Sequence, residues 1–262
     1  MEHLLWENTI PYYDNALGQI PKLIAFPADN AKACVIVCPG GGYSQLCKDR
    51  EGEIIAQYYN KHNISAFVLE YRIKPYHYPV QLEDVLRAVR IVRSLSRTYG
   101  YDEDKIAVLG FSAGGHLASM AVTHFDEGRN NGDDIDKISS RPNLGILCYP
   151  VITMGQYTDI GTRNNLLGDM RENIEMQAFL SSELAVKDNS PPCFIAHTVN
   201  DKTVPVQNSI MMASALIEKN IPVELHIFPY GRHGFSYGVF EGTQHAAQWL
   251  DLSIRYIKDY LS

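Results

Sequence analysis

One stretch of the sequence constrains the fold more than any other, the five residues Gly-Phe-Ser-Ala-Gly at positions 110–114. A continuous apolar run precedes them at 106–109, and a segment rich in small residues follows at 115–120. The pattern predicts a buried strand, a sharp turn and a helix, because small residues let a helix start abruptly and pack tightly on the strand behind it. Such a turn would lift the Ser112 hydroxyl above a β-sheet.

The same Gly-x-Ser-x-Gly spacing occurs a second time, as Gly-Phe-Ser-Tyr-Gly at 234–238. The string by itself is weak evidence because glycine is a common residue. The second copy follows a segment broken by proline and glycine instead of a strand, and Glu241 and Gly242 interrupt what comes next. We therefore predict that Ser112 occupies the strand-to-helix turn and that Ser236 is a loop serine.

Strands and helices alternate along the rest of the chain. Strand patterns lie at 34–38, 66–69, 144–151, 193–196 and 223–228, and helical patterns at 51–60, 79–99, 175–184, 206–220 and 243–260. Continuous apolar runs are typical of parallel strands buried on both faces. We predict one doubly wound α/β domain over residues 1–262, with a mostly parallel sheet between two layers of helices.

Two segments are expected to depart from that regular alternation. Residues 22–26 are interpreted as an edge strand of a small antiparallel start. Residues 154–189 have a looser pattern punctuated by glycine, and we predict a lid or substrate-shaping insertion over the carboxyl edge of the sheet. Four polar residues of this insertion are candidates for hydrogen bonds to a sugar: Tyr157, Arg163, Asn164 and Asn165.

Charge and hydropathy exclude several classes of partner. The formal net charge of −7 argues against a nucleic-acid surface, which depends on clustered lysine and arginine. The apolar stretches are too short to span a bilayer, and no basic flank with a long apolar segment marks a signal peptide, so a cytoplasmic protein is expected. The arginines of the 79–99 helix are predicted to form a solvated face: Arg87, Arg90, Arg93 and Arg97.

The five cysteines are interpreted as reduced, buried thiols. Most lie in or beside predicted strands, and Cys34 and Cys38 are too far apart along one strand to form a metal-ligand pair. We therefore expect no metal site at the cysteines.

Ser112 needs a base, because a serine hydroxyl is a poor nucleophile near neutral pH. Nine histidines compete for this role. His233 lies in a flexible loop directly after the predicted strand at 223–228, and catalytic groups gather at the carboxyl ends of parallel strands. We predict His233 as the base. Histidines inside predicted helices and strands are interpreted as structural: His116, His197 and His226.

The acid that orients the base should lie between the serine and the histidine in chain order. Asp201 follows the predicted strand at 193–196 and precedes a helix. An aspartate in such a loop more commonly caps the helix or forms an Asx turn. Chain order and the matching strand ends favour Asp201 as the orienting acid, with Asp188 as the second candidate.

Negative charge that develops on a substrate carbonyl oxygen requires preorganised donors. The backbone N–H of Ala113, next to Ser112, is one candidate. Three glycines follow the predicted strand at 34–38, and we predict that Gly41 or Gly42 supplies the other donor, with Tyr43 lining the acyl or alcohol side of the site. These glycines lack the spacing and the lysine of a phosphate-binding loop.

An ordered set of motifs covers nearly the whole chain from residue 32. The motifs are Pro-Gly-Gly-Gly-Tyr at 39–43, Leu-Glu-Tyr-Arg at 69–72, the 110–116 segment, Asn-Leu-Leu-Gly at 165–168, Pro-Pro at 191–192, Val-Pro at 204–205 and Phe-Pro-Tyr-Gly-Arg-His-Gly at 228–234. Together they resemble the α/β-hydrolase esterases of the acetyl esterase or acetylxylan esterase-like group. The resemblance implies an α/β-hydrolase fold and hydrolysis of carboxylic esters, often deacetylation of sugars or xylo-oligosaccharides.

The expected function is a serine carboxylesterase that acts on a small-molecule ester, without a cofactor or metal. Two alternatives stay open: a peptidase or acylaminoacyl hydrolase of the prolyl oligopeptidase type, and a binding protein on the same fold that has lost its chemistry. Peptidases of that type usually carry a large propeller domain, for which 262 residues leave no space. The sequence leaves open whether the chain forms a homo-oligomer.

Overall fold

The computed structural model describes residues 1–130 and 132–261. Within them, eight strands form one sheet in the order β1-β2-β4-β3-β5-β6-β7-β8. The strands are β1 (Glu2–Leu4), β2 (Lys22–Phe26), β3 (Ala33–Cys38), β4 (Ile64–Glu70), β5 (Ile106–Phe111), β6 (Leu144–Cys148), β7 (Cys193–Thr198) and β8 (Val223–Phe228). β2 pairs antiparallel with both β1 and β4, and the pairings from β4 to β8 are parallel. The predicted, mostly parallel sheet is confirmed.

Helices pack on both faces of this sheet. They are α1 (Ile54–Asn60), α2 (Val80–Ser94), α3 (Ser96–Tyr99), α4 (Ser112–Thr123), α5 (Ile160–Leu167), α6 (Ile174–Phe179), α7 (Gln207–Glu218) and α8 (Trp249–Leu261), with a π-helical turn at Asp49–Glu53 and 3₁₀ turns at Gly168–Met170, Ser182–Leu184 and Ala246–Gln248. In β3, Ile36 belongs to the cluster with α2, α4 and α7, whereas Val35 and Val37 belong to the cluster with α1 and α8. Burial on both faces explains the continuous apolar runs.

Several predicted boundaries shift. The edge position predicted for residues 22–26 is wrong: β2 is the second strand of the sheet, because the short β1 pairs with it and forms the edge. The predicted antiparallel start is confirmed. The helix predicted at 79–99 is interrupted at Leu95, which separates α2 from α3. The strand predicted at 144–151 ends at Cys148, where the backbone turns to a positive φ of 37° at Tyr149.

The predicted solvated arginine face of α2 is wrong. Arg87 and Arg90 are only 4% and 1% exposed. Arg87 donates to Asp133 at 2.6 Å, and Arg90 pairs with Asp126 and donates to a backbone carbonyl. The loop between α4 and β6 therefore covers these guanidinium groups, and a helical pattern cannot show a loop that packs against it from elsewhere in the chain. Arg97, one turn beyond α2, is exposed as predicted.

Three further sequence expectations concern the cysteines, the membrane and the domain organisation. All five cysteines are free thiols; four of them are buried as predicted, whereas Cys47 is half-buried. Among the described residues no helix combines the length and apolar character needed to cross a bilayer. Residues 154–189 contain α5, α6 and two 3₁₀ turns. The assignment of residues 1–262 to one domain, and of this segment to a lid, stays a prediction.

Candidate active site

Ser112 lies at a sharp turn between β5 and α4, as the small residues around it predict. It is the first residue of α4 and has a φ of 55°, a left-handed conformation that is costly for a side chain other than glycine. The turn is packed tightly from behind: a Cβ added to Gly114 would overlap the carbonyl oxygens of Cys38 and Pro39. The turn therefore combines a strained backbone at Ser112 with close packing at Gly114.

A continuous run of hydrogen bonds joins Ser112, His233 and Asp201. His233 Nε2 lies 2.8 Å from Ser112 Oγ, and His233 Nδ1 lies 2.7 Å from Asp201 Oδ2. An ionised carboxylate only accepts, so His233 Nδ1–H donates to Asp201 and Nε2 accepts the Ser112 hydroxyl proton. The ends of β5, β7 and β8 thus bring together three side chains that are far apart in the sequence.

Asp201 is held in place by the chain around it as well as by His233. Its Oδ1 accepts the N–H groups of Thr203 and Val204, both at 2.9 Å, which is an Asx-type turn. Burial alone would raise the pKa of Asp201, but hydrogen bonds from His197 and His233 outweigh burial and hold this pKa well below its usual range. Asp201 therefore forms the Asx turn and also contacts His233. Its role as the acid that orients the base stays a prediction. Asp188 lies apart, in an exposed ion pair with Lys219.

The other histidines considered have structural contacts. His197 is buried in β7, where Nδ1 lies 2.7 Å from Ser209 Oγ. Its Nε2 lies 3.0 Å from the Val204 carbonyl oxygen and 3.5 Å from Asp201 Oδ2, so it supports the Asp201 loop. His226 lies in β8 beside Glu224, at a distance of 2.5 Å between Nε2 and Oε1. These contacts agree with the structural role predicted for both residues.

Gly41 and Gly42 face the same cleft as Ser112 and His233. Their φ angles are 133° and 64°, so each backbone is in a region that favours glycine. Ala113 lies in the first turn of α4, where backbone N–H groups have no intrahelical partner. Asn165 donates its side-chain amide to the Gly42 carbonyl at 2.8 Å and ties the 154–189 segment to the glycine loop. The role of these N–H groups as oxyanion donors stays a prediction.

Tyr43 does not line the cleft, so its predicted contact with substrate is wrong for this structure. Its side chain is fully buried and packs edge-on against Tyr71 and His116. His116 Nε2 donates to the Leu180 carbonyl at 2.8 Å, so Nδ1 accepts the Tyr43 hydroxyl proton at 2.9 Å. Burial lowers the pKa of His116 to about 4. Tyr43 therefore anchors the glycine loop to α4.

The cleft has a volume of about 600 Å³, and its wall is formed largely by glycines and by polar or charged residues. From the 154–189 segment, Asp159 and Thr162 line the cleft. The residues predicted for sugar contact do not line it: Tyr157, Arg163, Asn164 and Asn165. Asp159 Oδ1 accepts the Thr162 hydroxyl at 2.7 Å. Three cationic side chains also line the cleft: Arg50, Lys202 and Arg232.

Ser236, the serine of the second Gly-x-Ser-x-Gly string, is fully buried. Its hydroxyl donates to the Arg50 carbonyl at 2.5 Å, and its own carbonyl accepts Trp249 Nε1–H at 2.7 Å. Asn200 Oδ1 accepts the Gly231 N–H at 2.9 Å on the other side of His233. As predicted, Ser236 is a loop serine; it helps to hold the loop that carries His233.

Glu51 is a site residue that the sequence reasoning missed. It lines the cleft, yet the residue is only 3% exposed. Its carboxylate accepts the Gly40 N–H at 2.9 Å and the Tyr149 hydroxyl at 3.0 Å. A signal was present: Glu51 stands four and eight residues before the apolar Ile55 and Tyr59, a spacing that places it on the buried helix face.

Sequence comparison relates this chain to known proteins. The family model described as BD-FAE matches residues 24–216. The chain is 41% identical over 239 residues to endo-1,4-beta-xylanase B of Butyrivibrio fibrisolvens, covering 88% of this chain and 37% of that protein. It is 32% identical over 227 residues to an acetylxylan esterase of Xylanibacter ruminicola, covering 85% and 45%. The chain thus spans less than half the length of these two relatives.

Comparison with solved structures gives a match over the full length of both chains. The acetyl ester-xyloside bifunctional hydrolase from Caldicellulosiruptor lactoaceticus is 40% identical and superposes with a TM-score of 0.93, covering 99% of this chain and 96% of that one. The predicted α/β-hydrolase fold is confirmed.

Proposed function

The chain belongs to the BD-FAE family, and we propose that it is a serine carboxylesterase that removes acetyl groups from esters of sugars or xylo-oligosaccharides. The observation that carries the proposal is the hydrogen-bonded run from Asp201 through His233 to Ser112 in an open cleft. An acetylxylan esterase and an acetyl ester-xyloside hydrolase among the relatives support the choice of acyl group and alcohol.

The first half of the reaction forms an acyl-enzyme. Ser112 Oγ attacks the ester carbonyl carbon while His233 Nε2 takes the hydroxyl proton across the 2.8 Å hydrogen bond. Asp201 keeps the other proton on Nδ1 and stabilises the imidazolium that forms. When the tetrahedral intermediate collapses, His233 returns the proton to the leaving alcohol, so the C–O bond breaks and the acetyl group stays on Ser112.

The second half releases the acyl group. His233 takes a proton from water, whose oxygen attacks the acetyl carbonyl, and then returns the proton to Ser112 Oγ as acetate leaves. In both halves negative charge develops on the carbonyl oxygen. The N–H groups of Ala113 and of Gly41 or Gly42 are the donors we assign to it, and loss of one such donor typically costs about 3 kcal/mol of transition-state stabilisation.

The wall of the cleft supports a hydroxylated alcohol over an aliphatic one. Asp159, Thr162 and Asn200 line the same cleft as Ser112, and the cationic side chains of the wall add further donors. Sugar hydroxyls can add hydrogen bonds to these side chains, whereas a long hydrocarbon chain would cover them and offer none.

A substrate panel tests the proposal. We expect faster turnover of p-nitrophenyl acetate than of the butyrate or octanoate, and release of acetate from acetylated xylo-oligosaccharides. Preference for octanoate would contradict the assigned acyl group, and a lack of acetate release would contradict the assigned alcohol. Faster turnover of a matched amide than of the ester would favour the peptidase alternative.

A further inference from the structure

Glu51 is a buried carboxyl group beside the reacting side chains that the mechanism above does not use. It lies in the π-helical turn Asp49–Glu53, which precedes α1. Short π-helical turns within helical segments are frequent at functional sites. Glu51 also lines the same cleft as Ser112 and His233. Because burying a carboxylate is costly unless its oxygens accept hydrogen bonds, the contacts of this side chain show what it does.

One carboxylate oxygen holds the glycine loop. Glu51 Oε2 accepts the Gly40 N–H at 2.9 Å. Gly40 is wedged against the nucleophile turn, since an added Cβ would lie 2.7 Å from both Glu51 Oε2 and the Phe111 carbonyl oxygen and 3.0 Å from Ser112 Cβ. Glu51 therefore fixes the residue immediately before Gly41 against the backbone that carries Ser112.

The other carboxylate oxygen holds the loop of the base. Glu51 Oε1 accepts the Tyr149 hydroxyl at 3.0 Å, and that hydroxyl accepts the Ser236 N–H at 3.2 Å. The Tyr149 ring packs edge-on against His233, with 5.2 Å between ring centroids. This second branch thus reaches the histidine loop through both a hydrogen bond and a ring contact.

The two branches require an acceptor at both oxygens. The Gly40 N–H can only donate, and the Tyr149 hydroxyl donates to Glu51 while its oxygen accepts the Ser236 N–H. An ionised carboxylate meets both donors. Burial raises the pKa of Glu51, while the hydrogen bonds from Tyr149 and Gly40 and the nearby Arg50 and His233 oppose that rise.

We propose that Glu51 is a positioning residue that fixes the glycine loop and the His233 loop relative to Ser112, through Gly40 on one side and Tyr149 on the other. The inference rests on the proposed esterase function, in which the glycine loop supplies an oxyanion donor and His233 transfers the proton. Both groups act in acylation and in deacylation, so Glu51 affects both steps.

The direct test is Glu51→Gln, because an amide of the same shape offers one acceptor and one donor where two acceptors are needed. We expect kcat for p-nitrophenyl acetate to fall roughly 10- to 100-fold per titrated active site, with KM unchanged because both chemical steps slow together. The matched control is Glu53→Gln, which removes the same charge from an exposed position of the same turn and should retain wild-type kcat.

Counting active sites with a fluorophosphonate separates positioning from misfolding. A merely structural role would lower the number of sites that label and leave turnover per site unchanged, which would overturn the proposal. Wild-type turnover in Glu51→Gln would overturn it as well. If the wild-type protein itself hydrolyses no ester, the proposed function fails, and that result is distinct from either of these.

Tyr149→Phe supplies a second variant in case Glu51→Gln folds poorly. It removes one branch only, so we expect a smaller loss of kcat, roughly 3- to 10-fold, again with unchanged KM. In the double variant the combined loss should be smaller than the product of the two single losses, because both changes break the same connection. A combined loss equal to that product would show that the two residues act independently and would contradict the Tyr149 branch.

Discussion

Protonation of the buried His116 makes the stability of the folded protein depend on pH. Burial lowers the pKa of His116 from 6.5 to about 4, so the folded protein binds fewer protons at this site than the unfolded chain between these values. Stability from a neutral His116 is therefore present above pH 6.5 and is lost as the pH falls through 4.

The free energy of unfolding should accordingly fall by about 3 kcal/mol from this group alone between pH 6.5 and pH 4. Urea titrations across that range measure the slope of stability against pH. In His116→Gln, whose side chain cannot ionise, the slope should be shallower. An identical slope in wild type and variant would show that His116 does not control acid stability.

Gly114 tests the close packing behind the nucleophile at a single position. Gly114→Ala would force a Cβ against the carbonyls of Cys38 and Pro39, which are backbone atoms that cannot move aside cheaply. We expect a loss of at least about 2 kcal/mol in the free energy of unfolding, or failure to fold.

The matched control for Gly114→Ala is Gly161→Ala, in the first turn of α5. Its added Cβ would lie an ordinary 3.4 Å from Asp159 Oδ1, and its backbone needs no positive φ. We expect its stability to be unchanged or raised by up to about 1 kcal/mol, measured by the same denaturant titration. Equal stability of the two variants would contradict the packing account.

At the scale of elements, α2 and the loop between α4 and β6 are joined by buried arginines. Arg90 donates to the Ile138 carbonyl at 2.9 Å and pairs with Asp126. Arg90→Met should lower the free energy of unfolding by about 2–4 kcal/mol, because it leaves those acceptors without their donor. Arg97→Met, at the exposed position, should change it by less than about 0.5 kcal/mol. Thermal unfolding of the two variants side by side measures the difference. Equal unfolding midpoints would show that Arg90 contributes no more to stability than the exposed Arg97, and would contradict this account.

A structural feature could be predicted from the sequence when the residues that determine it are neighbours in the chain. The buried strands were predictable because continuous apolar runs such as that of β3 report burial on both faces directly. The meeting of Ser112, Asp201 and His233 was predictable because each follows a strand whose carboxyl end lies at one edge of the sheet. These inferences use only the neighbourhood of each residue and its order in the chain.

The failures share a physical cause, which is a partner brought in from a distant part of the chain. Arg90 was assigned to solvent because nothing in α2 announces Asp126. Tyr43 was assigned to the substrate site because its contact with His116 lies 73 residues away. The helical spacing of Glu51 indicates burial, but its role was overlooked because that role depends on Tyr149, 98 residues later in the chain. Such contacts follow from packing of the complete fold, and local patterns do not encode them.

At the scale of the whole molecule, the thiols report how completely the fold protects its interior. Four of the five cysteines are buried, and only Cys47 is partly exposed. We expect at most one thiol to react with a disulfide reagent in the native protein and five after unfolding, because buried thiols are inert. Rapid reaction of three or more native thiols would contradict the described packing.

The cytoplasmic location expected from the sequence stays a prediction.

The account of the whole molecule has one central claim, that the fold converges on Ser112 as the nucleophile. Mass spectrometry of the protein after reaction with a fluorophosphonate, combined with hydrolysis of p-nitrophenyl acetate, measures this most directly. We predict a covalent adduct on Ser112 and a loss of at least about 10³-fold in activity for Ser112→Ala, since a triad without its nucleophile retains little catalysis. An adduct on Ser236, or full activity in Ser112→Ala, would contradict the account.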